Sequence, residues 1–378
     1  MDFTLSEEQQ ILCDGAERYL SEHYSFEQRR HVLNDEAGFS AVTWQTFAEL
    51  GWLALSVPED AGGLGGSFLD TALIMEAMGR RLVLEPYATT AILAARLIDR
   101  AGNGAARAEI LPAIAQGQCR VALAHGELAS RYDLRAALQT HARPTDAGYV
   151  IDGVKTMVFD GPGANQLIVS ANVVGQSGFT LFLVDAATPG VAIRGYPLID
   201  GTRGADIELT SVRVPGSAVL ASGDHALEVL EEALDRVVLA RVAEGLGAME
   251  SVLQLTSEHL KSRQQFGQPL AKFQALQHRL AEMFVEVQET RSILYRGLAY
   301  IDASAAERKS AVSAAKVVAA GAGRVVGEQG IQLHGGVGMT DEYQVGHYFK
   351  RLIALEKAFG DVDYHLERLA GSLRGGDA

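Results

Sequence analysis

Apolar and polar residues alternate along this chain with a period that changes twice. From the start to about residue 118 the period is helical. "SEEQQILCDGAERYLSEHY" opens with Ser6 in an N-cap position and continues with apolar residues spaced near 3.6. "AVTWQTFAELGWLAL" and "SFLDTALIMEAMGRRL" repeat that spacing. From about 119 to 225 the chain breaks into short runs rich in β-branched and aromatic residues, among them "YVIDGVKTMVF", "QLIVSANVV", "FTLFLVDA" and "ADIELTSVRVP". Gly, Pro, Asp and Asn separate them, which predicts a small antiparallel β-barrel or sandwich. No βαβ alternation and no GxGxxG fingerprint accompanies the strands, so a Rossmann fold is not expected. From about 226 helical periodicity returns in three long segments and predicts an up-and-down bundle of about four helices. The third of these segments, "AERKSAVSAAKVVAAGAGRVVGEQGIQLHG", is rich in the Ala and Gly that close helix packing requires. The expected fold is a multidomain α and β chain: an N-terminal helical domain (1–118), a β domain (119–225) and a C-terminal four-helix bundle (226–378).

Three breaks in the helical pattern carry information. "SVPEDAGGLGGS" places four glycines between helices. A phosphate cradle would need a preceding strand and a GK[ST] tail, and both are missing, so a tight turn is predicted. "RQQFGQPLAKFQALQ" puts Gly267 and Pro269 where a helix would otherwise continue. Inside a helix these residues cost about 1 and about 3 kcal/mol. The long helix should therefore stop, leaving Arg263, Phe266, Phe273 and Gln274 at a helix junction. A guanidinium, an aromatic ring and an amide suit a pyrophosphate and a flat ring. A helix C-cap with glycine after a basic last turn is the plainer alternative. In "QGIQLHGGVGMTDEY", Gln332, Gly335, Gly336 and Gly338 allow a backbone to approach a ligand, with Thr340 or Asp341 capping the next helix. A simple turn is again the other reading.

Composition narrows the class. The 378 residues are 48% hydrophobic and 21% charged, enough for two or three globular domains. A net charge of −14 argues against nucleic acid as a partner. Cys13 and Cys119 are the only cysteines, so no disulfide framework is expected and a reducing cytoplasm is the plain location. The acidic, amphipathic N-terminus does not read as a signal peptide, and no apolar run is long enough to predict a membrane span.

Taken together, "RQQFGQPLAKFQ", "QLHGGVG" and "ELGWLALSVPEDAGGLGGSFLDTALIMEAMGR" resemble, in order and spacing, segments of the acyl-CoA dehydrogenase family of flavoproteins. The resemblance runs from about residue 1 to 370 and implies that family's fold, with FAD as cofactor and an acyl-CoA thioester as substrate. It also implies an electron-transfer flavoprotein or similar acceptor, and a dimer or tetramer. In the family FAD lies between two subunits. One subunit surrounds the flavin with β-domain residues; its partner meets the pyrophosphate and adenosine. By resemblance Arg263, Phe266, Gln274, Gln332, Gly335 and Gly336 are those partner-side contacts.

The other half of the site departs from the family. Its "TEPxAGSD" loop corresponds here to "GELASRYD" (126–133), and its "KxWITNG" to "KTMVFDG" (155–161), with Met157 for Trp and Phe159 for Thr. Hydroxyl donors toward a flavin are lost. Of the two places where the family carries its catalytic glutamate, one aligns with Phe359 in "LEKAFGDVD" and the other with Val237 in "LDRVV". Neither side chain can accept a proton. The catalytic residue is therefore unassigned. Asp235, Glu356 and Asp361 are candidates for a relocated base, and His125 and His334 are weaker ones; a solvated or capping carboxylate, or a hydrogen-bonded structural histidine, is the plainer reading of each. The asymmetry fits one subunit of a heteromer, paired with a homologous large subunit. "YSFEQRR" (24–30) adds a resemblance to the small subunit of pimeloyl-CoA dehydrogenase-type heteromers. A self-sufficient homotetramer with a relocated base, and a non-enzymatic CoA-thioester binding or scaffold protein, remain the alternatives.

Overall fold

The computed structural model describes residues 4–374 except 137. The first three and last four residues of the expected terminal domains, and residue 137 of the expected β domain, lie outside that description. The chain opens with helices α1 (Glu7–His23), α2 (Phe26–Val32), α3 (Ala41–Glu49), α4 (Phe68–Arg81), α5 (Ala95–Arg100) and α6 (Gly104–Ala115). A π-helical stretch, Ala88–Ala94, leads into α5. Strands follow as β1 (Val121–Ala124), β2 (His141–Thr145), β3 (Gly148–Phe159), β4 (Gln166–Val173), β5 (Phe179–Asp185), β6 (Val191–Pro197), β7 (Arg203–Pro215) and β8 (Val219–Ser222). Then come α7 (Gly223–Ser262), a hairpin of β9 (Gln264–Gln265) and β10 (Gln268–Pro269), and helices α8 (Gln274–Tyr300), α9 (Ala305–His334), α10 (Val345–Lys357) and α11 (Val362–Arg374).

These elements divide into two compact units. One takes residues up to 29, 68–83 and from 238 onward; the other takes 30–67 and 84–237. The N-terminal helices are thus shared out, α1 and α4 joining the C-terminal helices.

In the unit that holds the strands, β6-β7-β3-β2-β4-β5-β8 form one sheet, and β1 also pairs with β4. The alternating runs put Ile151, Val158, Leu167, Val169, Phe182 and Ile207 on one interior cluster. Most neighbours are antiparallel as expected, but β1 and β2 both run parallel to β4. Short runs with alternating side chains fix the strands and their faces; they carry no signal for direction, which the connections decide. The register of β3 on β7 shifts between Lys155 and Val158, and Met157 sits in this bulge at a φ of 54°. In the same unit the glycine-rich loop is a tight turn. The amides of Gly62, Gly63, Leu64, Gly65 and Gly66 all donate to carbonyls of residues 54–59, leaving none for a phosphate.

The helical unit is set by one close crossing. A methyl on Gly79 of α4 would lie 2.0 Å from the Glu244 carbonyl oxygen on α7, and a methyl on Gly247 of α7 would lie 1.9 Å from that of Glu76 on α4. Each helix therefore admits the other's backbone through a glycine. Around the crossing Arg80 pairs with Glu17 of α1, Glu76 and, at 2.8 Å, Glu250 of α7, while Arg291 of α8 pairs with Glu250 and, at 3.2 Å, Glu76. Burial raises the Glu76 carboxyl above its ordinary range, and the two guanidiniums offset only part of that rise. On α9 the small residues serve close packing: methyls on Gly327 and Gly330 would strike Phe349 and Val252 at 2.7 and 2.5 Å. At the start of α1, Ser6 and Gln9 form a capping box. Arg29 of "YSFEQRR" is buried, donating to the Leu82 carbonyl at 2.9 Å.

Gly247→Ala forces the helices apart and is expected to destabilise by about 1–3 kcal/mol despite its better helix propensity. Gly321→Ala, where an added methyl meets nothing within 4 Å, is expected to gain up to about 1 kcal/mol. Urea midpoints of the two variants should shift in opposite directions; a shared direction contradicts the crossing.

Candidate functional site

α7 stops at Ser262 because the next residues turn back on themselves. Gln265 pairs antiparallel with Gln268, which leaves Phe266 and Gly267 as a two-residue turn with φ of 54° and 79°. Two left-handed residues in succession match a type I′ hairpin, where glycine is at home and phenylalanine is strained. Gly267 therefore belongs to a hairpin tip, not to a helix C-cap. The Leu270 amide donates to the Arg263 carbonyl at 2.8 Å and brings the chain to α8. Phe266 projects from the tip, 88% exposed, with its ring edge-on to Phe273 at 6.0 Å.

Behind the hairpin lies a cavity of about 840 Å³. Its walls include His259 and Arg263 from the end of α7, Arg279 of α8, and Gln332, Gly335 and Gly336 from the end of α9. The structure thus brings together Arg263, Gln332, Gly335 and Gly336 from segments about seventy residues apart. Phe266 and Gln274 do not line the cavity; Gln274 is exposed at the start of α8. Among the described residues no Asp or Glu lines it either, although the chain as a whole carries −14. Added methyls on Gly335 and Gly336 would meet nothing within 4 Å, so these glycines preserve open space instead of packing. Gly338 differs, with its hydrogen side packed on His334 and Ile331. Neither Thr340 nor Asp341 caps the next helix: Thr340 donates to the Val337 carbonyl, the Asp341 carbonyl meets His347, and the N-cap of α10 is Gln344.

Of the candidate bases, Glu356, Asp361 and His334 are engaged elsewhere. Phe359 lies in the turn between α10 and α11 at a φ of 57°. Glu356 is buried and pairs with Arg324 at 3.0 Å and Lys357 at 2.9 Å, contacts that hold its carboxyl below the usual range against the opposing effect of burial. Asp361 caps α11 by accepting the Tyr364 amide at 3.1 Å. Asp235 and Val237 are both buried on α7. His334 bonds the Gly330 carbonyl through Nδ1 at 2.7 Å. One contributor went unread in the sequence: Lys316 of α9 is buried and donates to the carbonyls of Leu355 and, at 2.9 Å, Ala358, while His365 reaches the Phe359 carbonyl at 3.4 Å. Burial pushes the Lys316 ammonium down to about 7. A lysine embedded in "SAAKVVAA" was its only trace.

In the strand-bearing unit, Glu127 is likewise committed. Its carboxylate accepts from Lys155 at 2.7 Å and from the amides of Gln139 and Thr140 at 2.5 and 3.0 Å. Lys155 also donates to Ser170, whose hydroxyl lies 2.9 Å from His125 Nδ1. His125 Nε2 is buried without a hydrogen-bond partner, and burial together with the Lys155 charge pushes the imidazole down to about 4. Residues 126, 157 and 159, where the family carries ring-facing groups, are Gly, Met and Phe here, and Met157 is 53% exposed. This loop and bulge offer a flavin no side-chain hydroxyl at those positions.

The comparisons agree with this architecture. The profile of the acyl-CoA dehydrogenase N-terminal domain matches residues 6–118, and that of the acyl-CoA dehydrogenase C-terminal domain matches 227–373. The chain belongs to the acyl-CoA dehydrogenase family. Among similar proteins, "Acyl-CoA dehydrogenase FadE27" of Mycobacterium tuberculosis is 29% identical, with 99% of each chain covered. "Acyl-CoA dehydrogenase IpdE2" of Mycolicibacterium smegmatis is 27% identical over 97% of this chain and 98% of its own. Among solved structures, the ChsE4–ChsE5 complex from Mycobacterium tuberculosis superposes with a TM-score of 0.89 at 28% identity, covering 99% of each chain. A variant of the Tcur3481–Tcur3483 steroid ACAD gives 0.88 at 28% identity over the same share. No helix among the described residues is long and apolar enough to cross a membrane.

His125 and His365, the latter pushed down to about 3 by burial, make stability depend on pH. Both are held neutral in the fold while the unfolded chain protonates them near pH 6.5, so their contribution is complete above that pH and is lost as pH falls toward 4 and 3. His125→Gln should flatten the fall in urea midpoint between pH 6.5 and 4.5; an unchanged slope would contradict the buried-neutral assignment.

Proposed function

We propose that this chain is the small, non-catalytic subunit of a heteromeric, FAD-dependent acyl-CoA dehydrogenase, resembling the small subunit of pimeloyl-CoA dehydrogenase-type heteromers. Its cavity receives the diphosphate and adenosine end of an FAD whose reactive ring is gripped mainly by a homologous large subunit. The observation that carries this reading is the acid-free cavity with two arginines and two unfilled glycines in a strongly anionic chain. Arg263 would bind the diphosphate in the forked geometry that suits phosphate oxygens, and Gln332 would supply an amide beside the backbone of Gly335 and Gly336. Phe266 and Gln274, outside the walls, would meet the dinucleotide or the partner subunit from the hairpin side.

When bound, FAD supplies the hydride acceptor for α,β-dehydrogenation of an acyl-CoA thioester. The chain's own residues would hold and orient it, and removal of the α-proton would fall to the large subunit. Phe359 and Val237 occupy the family's two base positions, and Glu356, Asp361 and Glu127 are all spent on other partners. These engagements weigh against a self-sufficient homotetramer. The likeness to complexes of two differently named chains supports a hetero-pair, and the steroid ACAD among them makes a steroid-derived thioester the first substrate to test. Electrons would leave to an electron-transfer flavoprotein or similar acceptor. The cysteine content suits a cytoplasmic location.

Produced alone, the chain is expected to carry little FAD and no turnover; co-production with a homologous large subunit should restore both. In that complex Arg263→Ala should strip the flavin. One FAD per chain in the protein produced alone would contradict the proposal, as measured by absorbance after denaturation.

A further inference from the structure

One wall of the cavity holds chemistry that the expected contacts leave aside. The rings of His259 on α7 and His334 on α9 stack with centroids 4.5 Å apart and planes inclined by 30°. The two imidazoles are not equivalent. A carbonyl can only accept, so His334 Nδ1 carries the proton it donates to Gly330 at 2.7 Å. Nε2 of the same ring, 3.2 Å from the Tyr343 hydroxyl, then accepts, and His334 is satisfied as a neutral base. The His259 side chain has no hydrogen-bond partner among the described residues and stands half-buried against the cavity.

The charged and titratable groups around His259 come from each neighbouring element. α7 contributes Arg263 and the exposed Glu258, which accepts from Gln254 at 3.0 Å and whose charge reaches the Tyr343 phenol in the cavity wall. α8 contributes Arg279, tethered to the Gln329 amide oxygen at 3.1 Å. α9 contributes His334, and the turn after it Tyr343. Burial first, and then the charge of Arg263 beside it, hold the His259 imidazole below its ordinary value, which disfavours an imidazolium in the free cavity. A ligand carrying two phosphates reverses the sign of that surrounding and favours an imidazolium, which the face of neutral His334 can also stabilise.

We propose that His259 is a proton-linked contact of this cavity: a diphosphate binds there together with a proton taken up by His259. The proposal rests on the reading of the cavity as a diphosphate site. It extends that site by one residue and makes occupancy depend on pH. Binding should tighten as pH falls from 8 toward 6, by at most about tenfold per pH unit for a single linked proton.

The test is calorimetric titration of the full chain with ADP at pH 7, in two buffers that differ in ionisation enthalpy. Wild type should take up a fraction of a proton per ADP bound. His259→Gln, a change at a half-exposed position, should fold with an unchanged melting temperature, bind ADP with no proton uptake, and lose the pH dependence. Arg263→Ala should lose ADP binding itself. ADP binding that depends on Arg263 but exchanges no proton would overturn the role of His259 and leave the diphosphate site standing. No ADP binding at any pH would overturn both.

Discussion

The helical unit is organised by the place where α4 and α7 touch. Gly79 and Gly247 let each backbone occupy the space a methyl would need, and a carboxylate–guanidinium network involving Glu17, Glu76, Arg80, Glu250 and Arg291 closes round the contact. With that crossing fixed, the remaining course of α7 is fixed, and so is the point at which His259 and Arg263 emerge. Gly330 then seats α9 on Val252 of α7, which delivers Gln332, Gly335 and Gly336 opposite them. The cavity is a by-product of two small-residue contacts, and its open space is kept by glycines at which an added methyl would meet nothing within 4 Å.

Electrostatics divide the molecule's polar groups into two populations. Most carboxylates near functional positions are consumed: Glu127 by Lys155, Glu356 by Arg324 and Lys357, Asp361 by the first turn of α11. Breaking a buried pair such as Lys155–Glu127 would leave one uncompensated charge and cost about 3–5 kcal/mol, so these groups are not free to act as bases. The cations of the cavity are treated the other way. Among the described residues no carboxylate joins Arg263 and Arg279 in the cavity wall, and the His259 side chain has no hydrogen-bond partner. A chain that spends its acids on structure and keeps these cations in reserve is suited to holding an anionic ligand, not to proton abstraction.

Much of this was legible in the residues. The change from helical to strand periodicity, the interruption at Gly267 and Pro269, and the tight turn at "AGGLGG" all rest on local chemistry that a sequence states directly. Arg263, Gln332, Gly335 and Gly336 converge as the two motif segments suggested. Other features depend on tertiary partners and leave no local trace. The parallel pairing of β1 and β2 with β4 is one. The division of α1 and α4 from the other N-terminal helices is another. Lys316 and His259 look like ordinary helix residues until their neighbours are known: one captures the carbonyls at the end of α10, the other stacks on His334. The glycine at 267 was correctly read as a break, yet its hairpin geometry requires φ values that composition alone does not distinguish from a C-cap.

The most direct measurement is an electron-density map of the chain assembled with a homologous large subunit and FAD. The expected map shows the diphosphate bound at Arg263, with the isoalloxazine ring contacted mainly by the other subunit. A cavity at Arg263 facing bulk solvent, or filled by partner side chains with the diphosphate bound elsewhere, would contradict it.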